Sequence, residues 1–281
     1  MNAIEVNNLC KVYRDFSLDN ISLELPSGCI MGLVGENGAG KSTTLKLILN
    51  MIRRDRGTVK LFGKDNRDNF VDIAEDLGVV LDEVGFGEVL NAVQVGKIMS
   101  KTFKNWNQKV YEEYLDRFSL PLKKKFKDYS KGMKMKLGIA VALSHDPKLL
   151  ILDEATSGLD PVVRDEFMDI ITEFTRDEGH SVLMSSHIVS DLEKVCDYIA
   201  FINNGKLLLC EEKDRLYEKY CIIHCSKETF SELDSSAFLG KKESPYGIEA
   251  IADRSMIPSS FEVSPIDIEK LFIFTVRGDL K

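Results

Sequence analysis

The chain has no apolar stretch near the length of about 20 residues that a membrane-crossing helix needs. Its opening residues, Met1-Asn2-Ala3-Ile4-Glu5, carry neither a basic start nor an apolar run, so no secretion leader is expected. Positive charge is not in excess. The 37 Lys and Arg stand against 45 Asp and Glu, and a formal net charge of −8 gives no general electrostatic grip on nucleic acid. Internal repeats and low-complexity tracts are absent. The six cysteines, at 10, 29, 196, 210, 221 and 225, are scattered, and in a chain without a leader they read as reduced thiols. Cys221, His224 and Cys225 are close enough to suggest a metal site, but they supply three ligands with no evident fourth, so packed or partly exposed thiols are the expectation. What remains is a chain of 281 residues, 44% hydrophobic and 29% charged, able to bury a large core in one large domain, alone or with a small one.

Against these absences, the stretch Leu33-Val34-Gly35-Glu36-Asn37-Gly38-Ala39-Gly40-Lys41-Ser42-Thr43 organises the chain. It reads as strand, glycine-rich loop and helix, in the pattern Gly-x-x-x-x-Gly-Lys-Ser. The backbone must curl around a phosphate with its N–H groups inward, and a Cβ at Gly35, Gly38 or Gly40 would obstruct that path. Lys41 would set an ammonium against the β- and γ-phosphates, and the Ser42 hydroxyl would ligate Mg²⁺. Leu45, Ile48, Leu49 and Ile52 then follow at helical spacing, so a helix N-terminus faces the anion. The stretch predicts ATP or GTP binding.

The remainder arranges itself around that loop. Residues 3–30 alternate apolar and polar, as Ile4 and Val6 oppose Glu5 and Asn7, which predicts antiparallel strands with one wet face. Strands are expected at 58–62, 78–81, 148–152, 181–185 and 198–202, and residues 203–205, Asn-Asn-Gly, have hairpin-turn chemistry leading to a strand at 206–210. Residues 88–144 change to helical spacing and read as an inserted helical subdomain, with Lys123, Lys124, Lys125 and Lys127 as a solvated face. Helices are also expected at 189–195 and 213–220. The tail beyond has no firm assignment, although 268–276 is apolar enough to dock.

Three further signals carry chemistry. An apolar strand ends in Asp153-Glu154, and neighbouring carboxylates divide labour: Asp153 to hold Mg²⁺, Glu154 to orient and deprotonate an attacking water. His187 follows another apolar strand and could reach the γ-phosphate edge of the same site. At 129–133, Tyr-Ser-Lys-Gly-Met opens a helix where Ser130 and Gly132 offer a hydroxyl and backbone donors to an anion.

Together these residues resemble the nucleotide-binding subunit of ATP-binding-cassette transporters, over about residues 3–211. The resemblance implies an α/β P-loop fold: a mostly parallel sheet, an N-terminal antiparallel β-subdomain, an inserted helical subdomain and a small C-terminal extension. It implies an ATPase domain over 1–212 and an accessory region over 213–281. Gly35 to Thr43, with Asn37, match the family's first nucleotide motif, and Leu149 to Glu154 its second. Ser157-Gly158-Leu159-Asp160 match the loop that touches a partner subunit, His187 matches the switch histidine, and Tyr13 sits where an aromatic ring stacks on adenine. Residues 129–133 stand at the family signature, Leu-Ser-Gly-Gly-Gln, through which two cassettes packed head to tail share each ATP.

Two positions depart from the pattern. Lys131 stands where the family has Gly, and Asp82, beside Glu83, stands where it keeps Gln. Asp82 could still meet Mg²⁺ or its water. Both departures resemble an exporter-type branch of Gram-positive bacteria linked to peptide or antibiotic efflux. The implied partners are membrane-spanning permease subunits and a second ATPase subunit, with no nucleic acid, at the cytoplasmic face of the membrane. The alternative is a cassette ATPase acting on DNA or the ribosome. Such proteins carry a long coiled coil or two cassettes in one chain, and neither is present.

Overall fold

The structure, a computed structural model, describes residues 1–157, 159–245, 247–259 and 261–277. β1 (Asn2–Val12) and β2 (Ser17–Pro26) pair antiparallel, with Ile4, Val6, Ile21, Leu23 and Leu25 buried. β3 (Ile30–Val34) is buried at every residue and leads through the glycine-rich loop into α1 (Lys41–Ile48). β4 (Arg56–Leu61) and β5 (Lys64–Asp65) complete a four-stranded sheet in the order β2-β1-β4-β5. After the short α2 (Phe70–Ala74) comes β6 (Leu77–Val80), followed by the helices α3 (Ala92–Thr102), α4 (Gln108–Arg117) and α5 (Lys131–Leu143). Strand and helix then alternate through β7 (Leu149–Asp153), α6 (Pro161–Phe174), β8 (Ser181–Ser186), α7 (Val189–Val195) and β9 (Tyr198–Asn203), and β10 (Lys206–Glu212) turns back beside β9. α6 is an element that the apolar spacing alone did not bring out.

The central sheet runs β10-β9-β3-β8-β7-β6, with β10 antiparallel at one edge and the other five parallel. Parallel strands covered on both faces read as continuous apolar runs because alternate side chains enter different cores. Met31, Leu33, Ile151 and Leu183 join a core with α1 and the antiparallel sheet, whereas Val34, Leu150, Leu152 and Met184 join a second core beneath the helices. The loops after β3, β6, β7 and β8 therefore share one edge of the sheet. β3 lies between β8 and β9, and crevices outside the carboxyl ends of such strands are where α/β sheets bind ligands.

α1 is fixed at its far end as well. The buried Asn66 donates through Nδ2 to Leu47 O (2.9 Å) and Ile48 O (2.8 Å), closing carbonyls that a helix end leaves open. Arg54, itself bonded to Asn66, holds Asp65 at 2.8 Å.

The chain beyond β10 forms α8 (Lys213–Lys219), β11 (Tyr220–Cys225), α9 (Lys227–Glu232), β12 (Phe238–Ser244), β13 (Gly247–Asp253), β14 (Val263–Pro265) and α10 (Ile268–Arg277). Its strands make a third sheet, β12-β13-β11-β14, all antiparallel. One face has its own small core of Cys221, Ile223, Phe238 and Ala250. The other, with α10, packs into the second core, where Phe272 meets Phe201 of β9 edge-on at 5.2 Å. Glu193 Oε1 ties the two together, accepting from Tyr217 OH (2.7 Å) and Ile268 N (3.1 Å). The strand pleat separates the candidate metal trio: Cys221 is buried in the small core and His224 points outward. Among the described residues no group of three or more His, Cys, Asp or Glu could hold a metal, and all six cysteines are free. Burial pushes the Cys210 thiol up to about 11. Among the described residues no helix is long and apolar enough to cross a membrane.

Candidate active site

The glycine-rich loop leaves β3 at Gly35, where an added Cβ would come within 2.5 Å of Ile202 O. Glu36, Asn37 and Gly38 form the exposed tip, and Gly38 sits at φ +81. Gly40 caps α1 at φ +116, a conformation glycine adopts without a steric penalty. The loop is braced from outside by the turn at 203–205. Gly205 N donates to Ala39 O (2.9 Å) and Asp19 N donates to Gly205 O (2.8 Å). Gly205 is at φ +74, and a Cβ there would fall 1.8 Å from Ser17 O. At the loop's tip, Arg277, the end of α10, stands 3.8 Å from Glu36.

Lys41 is 5% exposed, and Ser42 and Thr43 are partly buried in the first turn of α1, whose N–H groups have no helical acceptor. The Lys41 ammonium donates to Gly35 O (2.8 Å) and Glu36 O (3.2 Å) and pairs with Glu154 Oε1 at 3.0 Å. The other Glu154 oxygen, Oε2, lies 2.6 Å from His187 Nδ1. An ionised carboxylate only accepts, so the imidazole proton sits on Nδ1 and is donated to it. Glu154 reaches both partners because its backbone turns sharply after β7, at φ +50, a left-handed value that costs a side-chain-bearing residue about 1 kcal/mol. Residues taken from three separate motifs, Lys41, Glu154 and His187, are thus brought into one chain of contacts.

Ser185 is a residue the motif reading missed. It lies opposite Asp153 in the parallel register of β7 and β8. Its hydroxyl donates to Asp153 Oδ1 (2.6 Å) and accepts from Glu154 N (3.1 Å), so one side chain orients both acids. Asp153 itself is 3% exposed. A polar pair, Ser185-Ser186, ending an apolar strand was the signal available.

Tyr13, 44% exposed, stands at the β1–β2 turn with its ring 6.5 Å from that of Phe16, which in turn abuts Gly40, so it sits on the rim of the loop. Ser130 and Gly132 begin α5: Ser130 Oγ accepts from Met133 N (3.3 Å) as the N-cap, and a Cβ on Gly132 would touch Leu159 at 3.5 Å. Asp160 caps α6, its Oδ1 accepting from Val163 N (3.1 Å), with Pro161 in the first turn. Gly158 lies outside the described residues. Tyr129, first of the signature residues, is buried, and its hydroxyl donates to Pro121 O (2.9 Å).

Asp82 stands just beyond β6, the strand beside β7 in the sheet, and its Oδ1 takes the Lys131 ammonium at 2.9 Å at the start of α5.

Comparison with known proteins agrees with this arrangement. The ABC transporter family model matches residues 18–157. The chain is 34% identical over 237 residues to the bacitracin transport ATP-binding protein of Enterococcus faecalis, covering 83% of this chain and 75% of that one. It is 35% identical over 216 residues to the lantibiotic transport ATP-binding protein of Streptococcus pyogenes, covering 75% of this chain and 91% of that one. Among solved structures, the ATP-binding subunit of an ABC transporter superimposes with a TM-score of 0.69 at 26% identity, covering 76% and 91% of the two chains. A dimeric ATP-binding cassette bound to ADP and phosphate shares the fold, with a TM-score of 0.68 at 21% identity over 74% of this chain and 98% of that one. With a glycine-rich loop, two strand-end acids and His187 converging on one sheet edge, and relatives of this similarity, the chain belongs to the ATP-binding, ATP-hydrolysing subunits of ABC transporters.

Proposed function

We propose that this chain drives an exporter of peptides, antibiotics or other amphipathic compounds, working at the cytoplasmic face of the membrane with separate permease subunits. The cargo class is carried over from the relatives, named for bacitracin and lantibiotic transport. A role on DNA or the ribosome has no such support. Residues 1–212 act as the ATPase domain, with 88–144 as its helical subdomain, and 213–281 as an accessory region.

The observation that carries the mechanism is the division of the site. Lys41, Glu154 and His187 form one closed cluster, while Ser130, Gly132 and Asp160 stand apart at the starts of α5 and α6. Two copies packed head to tail, or one copy with a related subunit, join these halves around each ATP. Tyr13 stacks on adenine, the N–H groups of 35–43 cradle the phosphates, and Lys41 turns from Glu154 to the γ-phosphate. Glu154, held by His187, then accepts a proton from the attacking water, giving ADP and phosphate. The Ser42 hydroxyl and the buried Asp153 carboxylate are hard oxygen donors of the kind Mg²⁺ takes, and that ion would neutralise charge on the phosphates. ATP thereby favours the closed pair, and its hydrolysis releases the pair.

Coupling to the permease is assigned to a groove of about 420 Å³ beyond β6, lined by Leu81, Val84, Phe86, Met99, Phe103 and Val141. Its apolar walls suit a short amphipathic helix.

Glu154→Gln tests the core of this reading. The variant is expected to bind ATP, to lose hydrolysis by at least about a hundredfold, and to accumulate as an ATP-bound pair in light scattering. Hydrolysis at the parental rate would refute Glu154 as the base.

A further inference from the structure

The two positions at which this chain departs from its family touch each other. Lys131 Nζ lies 2.9 Å from Asp82 Oδ1, and both side chains are half exposed. Lys131 is poorly placed for its own local structure, since it is the first residue of α5, where the helix dipole opposes a cation. Asp82 lies just beyond β6 and lines a polar groove with Glu83, Glu88, Lys127 and Lys134. Its carboxylate supplies the negative charge that the start of α5 favours, so the departures act as a pair.

Residues 83–86 form a wall common to this polar groove and to the apolar groove behind it. Asp82 is the first residue of that wall on the polar side. Lys131 lies between Ser130 and Gly132, the two residues that meet the partner's triphosphate in the head-to-tail pairing proposed above, on which this inference rests.

We infer that the Asp82–Lys131 ion pair is an interlock: Asp82 keeps the Lys131 cation on its own chain until the triphosphate presented by the second cassette takes it over. Asp82 is a positioning residue that acts through Lys131, and Lys131 is a phosphate contact supplied in trans. Exchange is easy because a half-exposed ion pair holds its partners weakly, whereas a triphosphate offers several charges. Asp82, once released, still faces Lys127 and Lys134 on the same groove. Any occupant of the apolar groove that shifts 83–86 moves Asp82 and so alters the availability of Lys131.

The test measures ATP-dependent pairing of the full chain in the Glu154→Gln background by sedimentation. Asp82→Asn frees Lys131 and tightens pairing roughly two- to fivefold. Lys131→Met weakens it about tenfold or more, Lys131→Arg restores it to near the parental level, and the double variant Asp82→Asn/Lys131→Met behaves as Lys131→Met alone. The exchanged pair, Asp82→Lys with Lys131→Asp, stays as weak as Lys131→Met, because an anion then faces the phosphates. Three results would overturn the interlock: no effect of Asp82→Asn, the same effect with and without Lys131, or full pairing by the exchanged variant. If the Glu154→Gln parent itself fails to pair with ATP, the head-to-tail reading falls and the interlock with it.

Discussion

In the glycine-rich-loop corner, Lys41 is 5% exposed, Asp153 is 3% exposed, and their partners come from the segments just after β3 and β7 and from β8 of the same chain. At the start of α5, Ser130 and Lys131 are exposed, and the contacts there are a cap and one surface ion pair. The first corner is assembled by the fold alone, with its charges matched inside the chain. The second presents charge and donors outward, as one side of an interface does. Nucleotide affinity should therefore belong to the first corner and subunit pairing to the second.

Lys41→Ala should break the first corner outright. Removing the cation of a charge-assisted contact is expected to weaken ATP binding by at least about a hundredfold in a titration with a fluorescent analogue. Unchanged affinity would refute the cradle. Ser130→Ala sharpens the contrast. It should lower ATP-dependent pairing about tenfold and, through the lost cap, destabilise the fold by about 1 kcal/mol in denaturant melts. ATP binding by the isolated chain should stay within roughly twofold of the parent. A loss comparable to that of Lys41→Ala would erase the distinction between the corners.

The smallest effect concerns how α5 is held at its other end. His145 is buried, stacked on Phe103 at 3.8 Å, with Nε2 3.0 Å from Leu77 O and Nδ1 3.3 Å from Val141 O. Burial holds its pKa below the ordinary 6.5. Because the folded value lies below the unfolded one, the unfolded chain takes up the proton first. This contribution is intact above about pH 6.5 and is lost as the pH falls below it. The melting temperature of the parent should therefore fall more steeply between pH 7.5 and 5.5 than that of His145→Gln. Equal slopes would show that His145 does not titrate between the two states.

The corners also differ in how far the sequence discloses them. The loop at 35–43 is legible because few residues besides glycine fit its backbone, and the central strands because burial on two faces forces unbroken apolar runs. Ser185 was not legible, since its role comes from standing opposite Asp153 in the register of β7 and β8. Asp82 and Lys131 showed as two separate oddities, and their contact across 49 positions exists only in the fold. α6 was missed even though Asp160-Pro161 is a helix-start signal, because the same residues also belong to a loop motif. The third sheet escaped for another reason. β11 finds its partners, β13 and β14, more than twenty residues away, and its faces serve two different cores, so its own pattern is mixed.

The turn at 203–205 leaves the glycine-rich loop open to adjustment from behind, away from its exposed tip at 36–38. Gly205 is wedged between Ala39 and Ser17, so its bare α-carbon sets how far the loop may relax toward β2. Substitutions at this hairpin tip would alter the grip on ATP while leaving every phosphate-facing residue in place. Variation in affinity among related subunits can thus originate behind the binding surface as readily as on it.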